Sequence, residues 1–307
     1  MTAWWELAGV PASGKLPTYQ QEVPGDFRQT VERISQRGTM IPRSDAPDDI
    51  LASGAPHSMR EKKILVWGGG GAACFLGAHD SVLSAKELFR IAREVRTATG
   101  AAMGVWRVGA RPFKGGAGAW RWAEGWRDSC VPLRSTSLFD HLLGAEQLVT
   151  SFGKCGDFFN GTGFTRSIPV EATAAAWADL LKTLSTTPRG LIVVSLFDDV
   201  GRLPPKQFAP ALAEQLVQFD AQLLQLQRLL KPEDCVCVIS DQARDVRRPQ
   251  HESRECVPLL VFGPKLARGV NLGDRMSYAD LGQTIVEAFD GARLSVGESF
   301  LAALRSG

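Results

Sequence analysis

Histidine is scarce in this sequence: its 307 residues include only His57, His79, His141 and His251. A serine triad would have to recruit one of these four, and neither a Gly-x-Ser-x-Gly elbow nor a P-loop accompanies them. Cysteine is thinly spread. Cys74, Cys130, Cys155, Cys235, Cys237 and Cys256 form no C-x-x-C pair, so free thiols in a reducing cytoplasm are expected. Charge of one sign is lacking as well. The 35 Lys and Arg against 33 Asp and Glu leave +2, which excludes a strongly basic nucleic-acid binder or an acidic tail as the main theme. Long apolar runs are missing: the longest, Gly190 to Phe197, is far short of the about 20 residues of a membrane span. The N-terminal Met-Thr-Ala-Trp-Trp-Glu-Leu-Ala-Gly has no basic-then-apolar secretory pattern, so a cytoplasmic location is expected.

What is present is ordinary for a chain that buries a core: 44% hydrophobic and 22% charged residues, at a length fitting one large or two medium domains. The first 60 residues are punctuated by Pro and Gly and read as loops, with one short helix near Phe27 to Ile34. Ile64 to Trp67 predicts a strand running into a flexible loop, Gly68 to Gly71. Ser84 and Glu87 form a capping box for a helix over 85–98. A strand is expected over 103–110, then a Trp-rich loop with Trp120, Trp122 and Trp126. Helices are expected at 138–143, 172–184, 208–230 and 279–289, and strands at 148–152, 191–196, 236–239 and 257–262. This alternation argues for an α/β fold with helices on both faces of a sheet.

Ligands of such sheets gather at the carboxyl ends of strands. Asp198 and Asp199 follow one expected strand, Asp241 follows another, and His251 lies in the loop before a third. Converging carboxylates and an imidazole suit a divalent metal. On pattern alone the plainer reading of such aspartates, as N-caps or Asx turns, stands ahead. Gly68 to Gly71 has the flexibility to cradle a phosphate but neither the spacing nor the Lys-Ser/Thr of a phosphate motif. The Trp/Arg segment 120–127 would stack a base or sugar, or simply pack. Lys154 would hold a phosphate, or simply be solvated.

The C-terminal stretch narrows these choices. Phe219-Asp-Ala-Gln-Leu223, Ser240-Asp241, His251 to Leu260, Gly269-Val-Asn-Leu-Gly273, Tyr278-Ala-Asp-Leu-Gly282 and Gly297-Glu-Ser-Phe-Leu301 occur in one order. Together they resemble the C-terminal third of the bacterial metal-dependent phosphopentomutases, members of the alkaline phosphatase superfamily. Upstream, Gly153 to Thr165 is similar to that family's G-K-x-x-D-x-F-x-G-x-G-x-T loop. Val108-Gly-Ala-Arg-Pro-Phe113 is similar to its V-x-A-R-P-F, and Met1 to Gly9 to its M-T-G-H-W-E-I-M-G. The resemblance implies an alkaline-phosphatase-like α/β core, residues 1–13 and 135–307, with an inserted α/β cap over 14–134. It implies interconversion of ribose or deoxyribose 1-phosphate and 5-phosphate. Two Mn²⁺ ions would neutralise the phosphate and align displacement at a phosphothreonine.

The chain departs from the pattern at that centre. The family's nucleophilic threonine is the first of D-T-M-T-G-H-W-E, and this sequence starts at the Met. The family's A-D-H-G-N-D is Ser240 to Asp245 here, with Gln242 in place of a metal-binding histidine. Three ligands carry over, Asp199 (or Asp198), Asp241 and His251, where a two-metal site needs about twice as many. Arg111 and Lys154 match substrate-binding positions, and Arg127 is a looser match. The expectation is a phosphopentomutase-like protein, catalytically impaired or inactive, that still binds sugar phosphate. Two alternatives are an active mutase whose nucleophile segment is missing from this chain, and a non-catalytic partner subunit. A third is a one-metal phosphatase or phosphodiesterase that uses water. Without the family's first, interior strand, neighbouring strands would expose backbone groups, so repacking by the first 60 residues, a protein partner or self-association is expected.

Overall fold

The computed structural model describes all residues except 15, 20–22, 44–46, 100–102, 171, 198–199, 201–202, 204, 245–251, 254–255, 290, 292 and 306–307. Two units emerge, Ser13–Pro132 with Gly156–Gly161, and Met1–Ala12 with Leu133–Cys155 and Thr162–Gly307. The chain opens with α1 (Thr2–Leu7), which belongs to the second of these.

The Ser13–Pro132 unit is a mixed sheet between helices. Its helices are α2 (Gly25–Ser35), α3 (Pro47–Glu61) and α4 (Ala85–Thr99). Its strands are β1 (Thr39–Met40), β2 (Ile64–Gly69), β3 (Ala73–His79), β4 (Arg107–Lys114), β5 (Arg121–Trp122) and β6 (Arg127–Cys130). The order is β1-β2-β3-β4-β5, with β6 also on β4. Alternation along β2 divides the core. Ile64 and Val66 pack with Phe27 and Val31 of α2 and with Leu88, Ile91 and Val95 of α4. Leu65 and Trp67 face the other way, onto Ile50, Leu51 and Ala55 of α3 and onto Phe113, with Trp120 and Trp122 alongside.

Three expectations are corrected here. Residues 47–61 form a helix, not a loop: Pro47 takes a first-turn position, where its missing N–H costs nothing. Gly68 and Gly69 end β2 rather than opening a loop, and β3 follows after a tight turn. The strand expected over 103–110 runs from Arg107 to Lys114, and the Trp-rich loop contains β5 and leads into β6.

The other unit holds α5 (Leu138–Gly144), β7 (Leu148–Phe152), β8 (Arg166–Ile168), α7 (Thr173–Thr186), β9 (Gly190–Val194) and α8 (Pro205–Leu229). The short α6 (Cys155–Phe158) leads from it into the Gly156–Gly161 segment. The unit continues with β10 (Val236–Ile239), β11 (Ala243–Arg244), β12 (Glu252–Ser253), β13 (Leu259–Phe262), α9 (Ala279–Ala288) and α10 (Leu301–Arg305). Here β8-β7-β9 are parallel, β10 pairs antiparallel with β13, and β11 with β12. The whole is an α/β protein, consistent with an alkaline-phosphatase-like core. No helix among the described residues is long and apolar enough to cross a membrane.

Candidate active site

Asp241 stands just past the end of β10. The turn that carries it is held by the Ser240 hydroxyl, which donates to the Gln242 carbonyl at 2.7 Å. The Trp4 indole N–H donates to Asp241 Oδ2 at 3.0 Å. Trp4 is placed by α1, and α1 is anchored through Glu6. Its Oε1 accepts from the Ser277 hydroxyl at 2.6 Å and from the Tyr278 N–H at 3.2 Å. Burial, then the negative charges of Asp241 and Glu6, hold the Tyr278 phenol above its ordinary pKa. A carboxylate, an indole and a phenol thus share one corner, assembled from both ends of the sequence. Asp198, Asp199 and His251 lie outside the described residues.

Lys154 follows β7 at the entrance to α6 and is half-buried. The neighbouring strand end is tied to it through the Ser195 N–H, which donates to the Phe152 carbonyl at 2.9 Å. Phe197, just before the undescribed aspartates, has φ +65° and donates its N–H to Thr173 Oγ1 at 2.9 Å.

Arg111 and Arg127 belong to the Ser13–Pro132 unit, on adjacent strands β4 and β6. Arg111 is buried. Its guanidinium donates to Asp128 Oδ1 at 2.7 Å and to the carbonyls of Arg127 at 2.9 Å and Ala110 at 3.0 Å. It also lies 4.6 Å from the Trp126 ring centre and 4.9 Å from that of Phe75. Arg127 donates to its neighbour's carbonyl, Trp126 O, at 2.8 Å and lies over Phe89. The Trp-rich segment packs on itself and on the sheet: Trp122 meets Trp67 at 5.7 Å and Trp126 at 5.5 Å between ring centres.

Two residues inside the quoted Gly153 to Thr165 motif have a role that spacing did not reveal. Asp157 Oδ2 accepts the Asp128 N–H at 3.0 Å, and the Asn160 amide exchanges two 2.9 Å hydrogen bonds with the Cys130 backbone. Their side chains do what a neighbouring strand would do for β6, satisfying its outward backbone groups. The signal was the motif itself, read only for Lys154.

Burial, followed by the Asp128 charge, pushes the Asp157 carboxyl up to about 6. A raised carboxyl pKa contributes stability that is complete below about pH 4 and lost as pH rises through 6. Asp157→Asn keeps an oxygen for the Asp128 N–H. It is therefore expected to flatten the pH dependence of stability between pH 4 and 7 and to add about 1–3 kcal/mol at pH 7.5. Urea midpoints at pH 4.5 and 7.5 read this directly; parallel curves for wild type and variant would refute it.

No protein-family model matches the chain. Individual proteins do, along almost its whole length. The phosphopentomutase of Clostridium novyi is 30% identical over 302 residues, 98% of this chain and 77% of its own. That of Herpetosiphon aurantiacus is 31% identical over 310 residues, covering 98% and 78%. The phosphopentomutase of Dictyoglomus turgidum is 28% identical over 307 residues, covering 100% and 78%.

Proposed function

The chain belongs to the phosphopentomutase family, and from that membership we propose a protein that keeps sugar-phosphate binding but has lost two-metal mutase chemistry. The observation that carries this reading is the Trp4–Asp241 hydrogen bond. The one carried-over metal carboxylate among the described residues takes an indole N–H, a group that donates only and ligates nothing. Trp4 stands where the family motif has a histidine, and Gln242, next to Asp241, offers a neutral amide where the family has an imidazole. Among the described residues, Asp241 with Trp4 and Gln242 beside it does not fit a pair of divalent cations, whether Mn²⁺ or another.

Lys154 is the candidate cation for sugar phosphate in its own unit, and in the Ser13–Pro132 unit Arg127, then Arg111, are the candidates. A cytoplasmic setting fits six free cysteines, of which Cys74 and Cys130 are pushed up to about 12 by burial and so poorly reactive. The test is direct. Protein dialysed against Mn²⁺ is assayed for bound metal and for ribose 1-phosphate formation from ribose 5-phosphate. Expected are no stoichiometric metal, no turnover, and saturable ribose 5-phosphate binding that Lys154→Ala weakens at least tenfold. Two bound Mn²⁺ per chain with turnover would overturn the reading.

A further inference from the structure

Cys235 and Cys237 stand at the start of β10, the first just ahead of Val236 and the second inside the strand. Alternate residues of a strand point to one side, so the two thiols share a face. On an extended chain such neighbours lie about 6.5 Å apart at Cα. Their Sγ atoms nevertheless come within 3.9 Å of each other. The backbone on either side is set by other contacts. Ahead of the pair, the Asp234 N–H donates to the Lys231 carbonyl at 3.0 Å, and the Asp234 carboxylate accepts the Lys231 N–H at 2.8 Å. After Cys235 the ladder begins, Val236 on Phe262 and Cys237 on Val261. A turn and a strand pairing thus bring the two sulfurs together.

The two thiols are not equivalent. Cys235 is exposed and Cys237 half-buried. The hydrogen bond between them stabilises a Cys235 thiolate and holds that thiol below its ordinary pKa. The same bond, then burial, keeps the proton on Cys237 and raises its pKa well above the usual value. An exposed, readily ionised thiol beside a second sulfur has the two properties of a redox-sensing cysteine with its resolving partner. The other cysteines are placed differently. Cys74, Cys130 and Cys155 are buried. Cys256 is exposed, but it precedes β13, which runs antiparallel to β10, so it lies beyond the opposite end of the ladder. Asp241 is past that far end as well, so the inference does not depend on the candidate site or on whether mutase chemistry survives.

We propose that Cys235 and Cys237 form a site of reversible oxidation by hydroperoxides, closed by a disulfide between them within one chain. With hydrogen peroxide, the Cys235 sulfur attacks one oxygen, the O–O bond breaks, and Cys235 becomes a sulfenic acid as hydroxide leaves. The Cys237 sulfur then attacks the Cys235 sulfur. The S–O bond breaks, and the hydroxyl departs with the Cys237 proton as water. The first hydroxide takes up the proton that Cys235 had shed. Two thiols and one peroxide thus give one disulfide and two waters. The sulfurs must close to the S–S distance of about 2.05 Å.

The test uses the full chain, freshly reduced and treated with one equivalent of hydrogen peroxide. Remaining thiols are alkylated with iodoacetamide and tryptic peptides are weighed. One peptide, residues 229–244, carries both cysteines and no other. It should lose two hydrogens and escape alkylation at least tenfold faster than the Cys256 peptide is oxidised. The chain should stay single on a non-reducing gel, and dithiothreitol should restore both thiols. Cys237→Ser should strand the sulfenic acid on Cys235, where dimedone traps it, and Cys235→Ser should leave Cys237 unlabelled. The wild-type peptide map decides the matter whether or not the variants fold. Both thiols still alkylated once Cys256 has reacted, a disulfide between chains, or dimedone on Cys237 instead of Cys235 would overturn the proposal.

Discussion

Arg111→Met is expected to destabilise the Ser13–Pro132 unit by about 3–5 kcal/mol, the usual cost of removing one partner of a buried ion pair. The side chains of Arg111 and Asp128 are 5% and 1% exposed, so the carboxylate left behind has no water to turn to. Two carbonyls also lose their guanidinium donor, and Trp126 and Phe75 lose the cation between them. Methionine fills part of the volume but supplies none of these. Removing the Arg111 charge should also raise the Asp157 pKa further, since that charge holds it down. The double variant Arg111→Met with Asp128→Asn should recover part of the loss, because no unpaired charge remains. Unfolding is followed by tryptophan fluorescence, for which Trp67, Trp120, Trp122 and Trp126 report on this unit. A variant that unfolds like wild type but loses ribose 5-phosphate binding would assign Arg111 to the ligand instead of the fold.

The same residue shows where sequence reading stops. The resemblance singled out Arg111 by position in Val108-Gly-Ala-Arg-Pro-Phe113, but burial depends on Asp128, whose pairing is set by the β4–β6 register. Local signals served well where neighbours in sequence decide the structure. The Ser84 hydroxyl accepts the Glu87 N–H at 3.2 Å, and α4 follows its apolar periodicity. They failed where a distant partner decides. Gly68 and Gly69 look like a loop, yet a Cβ on them would sit 2.1 Å from the Tyr19 carbonyl oxygen and 2.6 Å from Phe75. These glycines serve close approach inside a sheet. Pro47 with Asp48 and Asp49 looks like a turn, but the same residues open helices. At the site, Asp241 was legible as a strand-end carboxylate, whereas its partner Trp4 lies at the other end of the chain.

Several motifs that carried the resemblance turn out to hold the fold. Asp280 accepts the Glu298 N–H at 2.9 Å, Thr284 the Phe300 N–H at 3.0 Å, and Gln283 the Leu294 N–H at 2.8 Å. Tyr278 to Gly282 and Gly297 to Leu301 are thus tied together by hydrogen bonds through which α9 straps down the segment that follows it.

Gly282→Ala is expected to release α1 from α9. The new Cβ would sit 1.9 Å from the Leu7 carbonyl oxygen, an atom of the α1 backbone with no rotamer to change. Either helix must move, at a cost of about 2–4 kcal/mol, the range for overpacking plus loss of the docked segment's contacts. For a chain of this size that is a fall in melting temperature of roughly 5–12 °C. Movement of α1 carries Trp4 away from Asp241 and Glu6 away from Ser277, so the fluorescence of Trp4 should change along with stability. Gly144→Ala is the control: nothing lies within 4 Å of its Cβ position at the end of α5, and it should be neutral or stabilising by up to about 1 kcal/mol. If Gly282→Ala melts with Gly144→Ala, the close approach of the two helices is not what position 282 requires. If it melts low but keeps the Trp4 environment, the strain has been taken up on α9 alone.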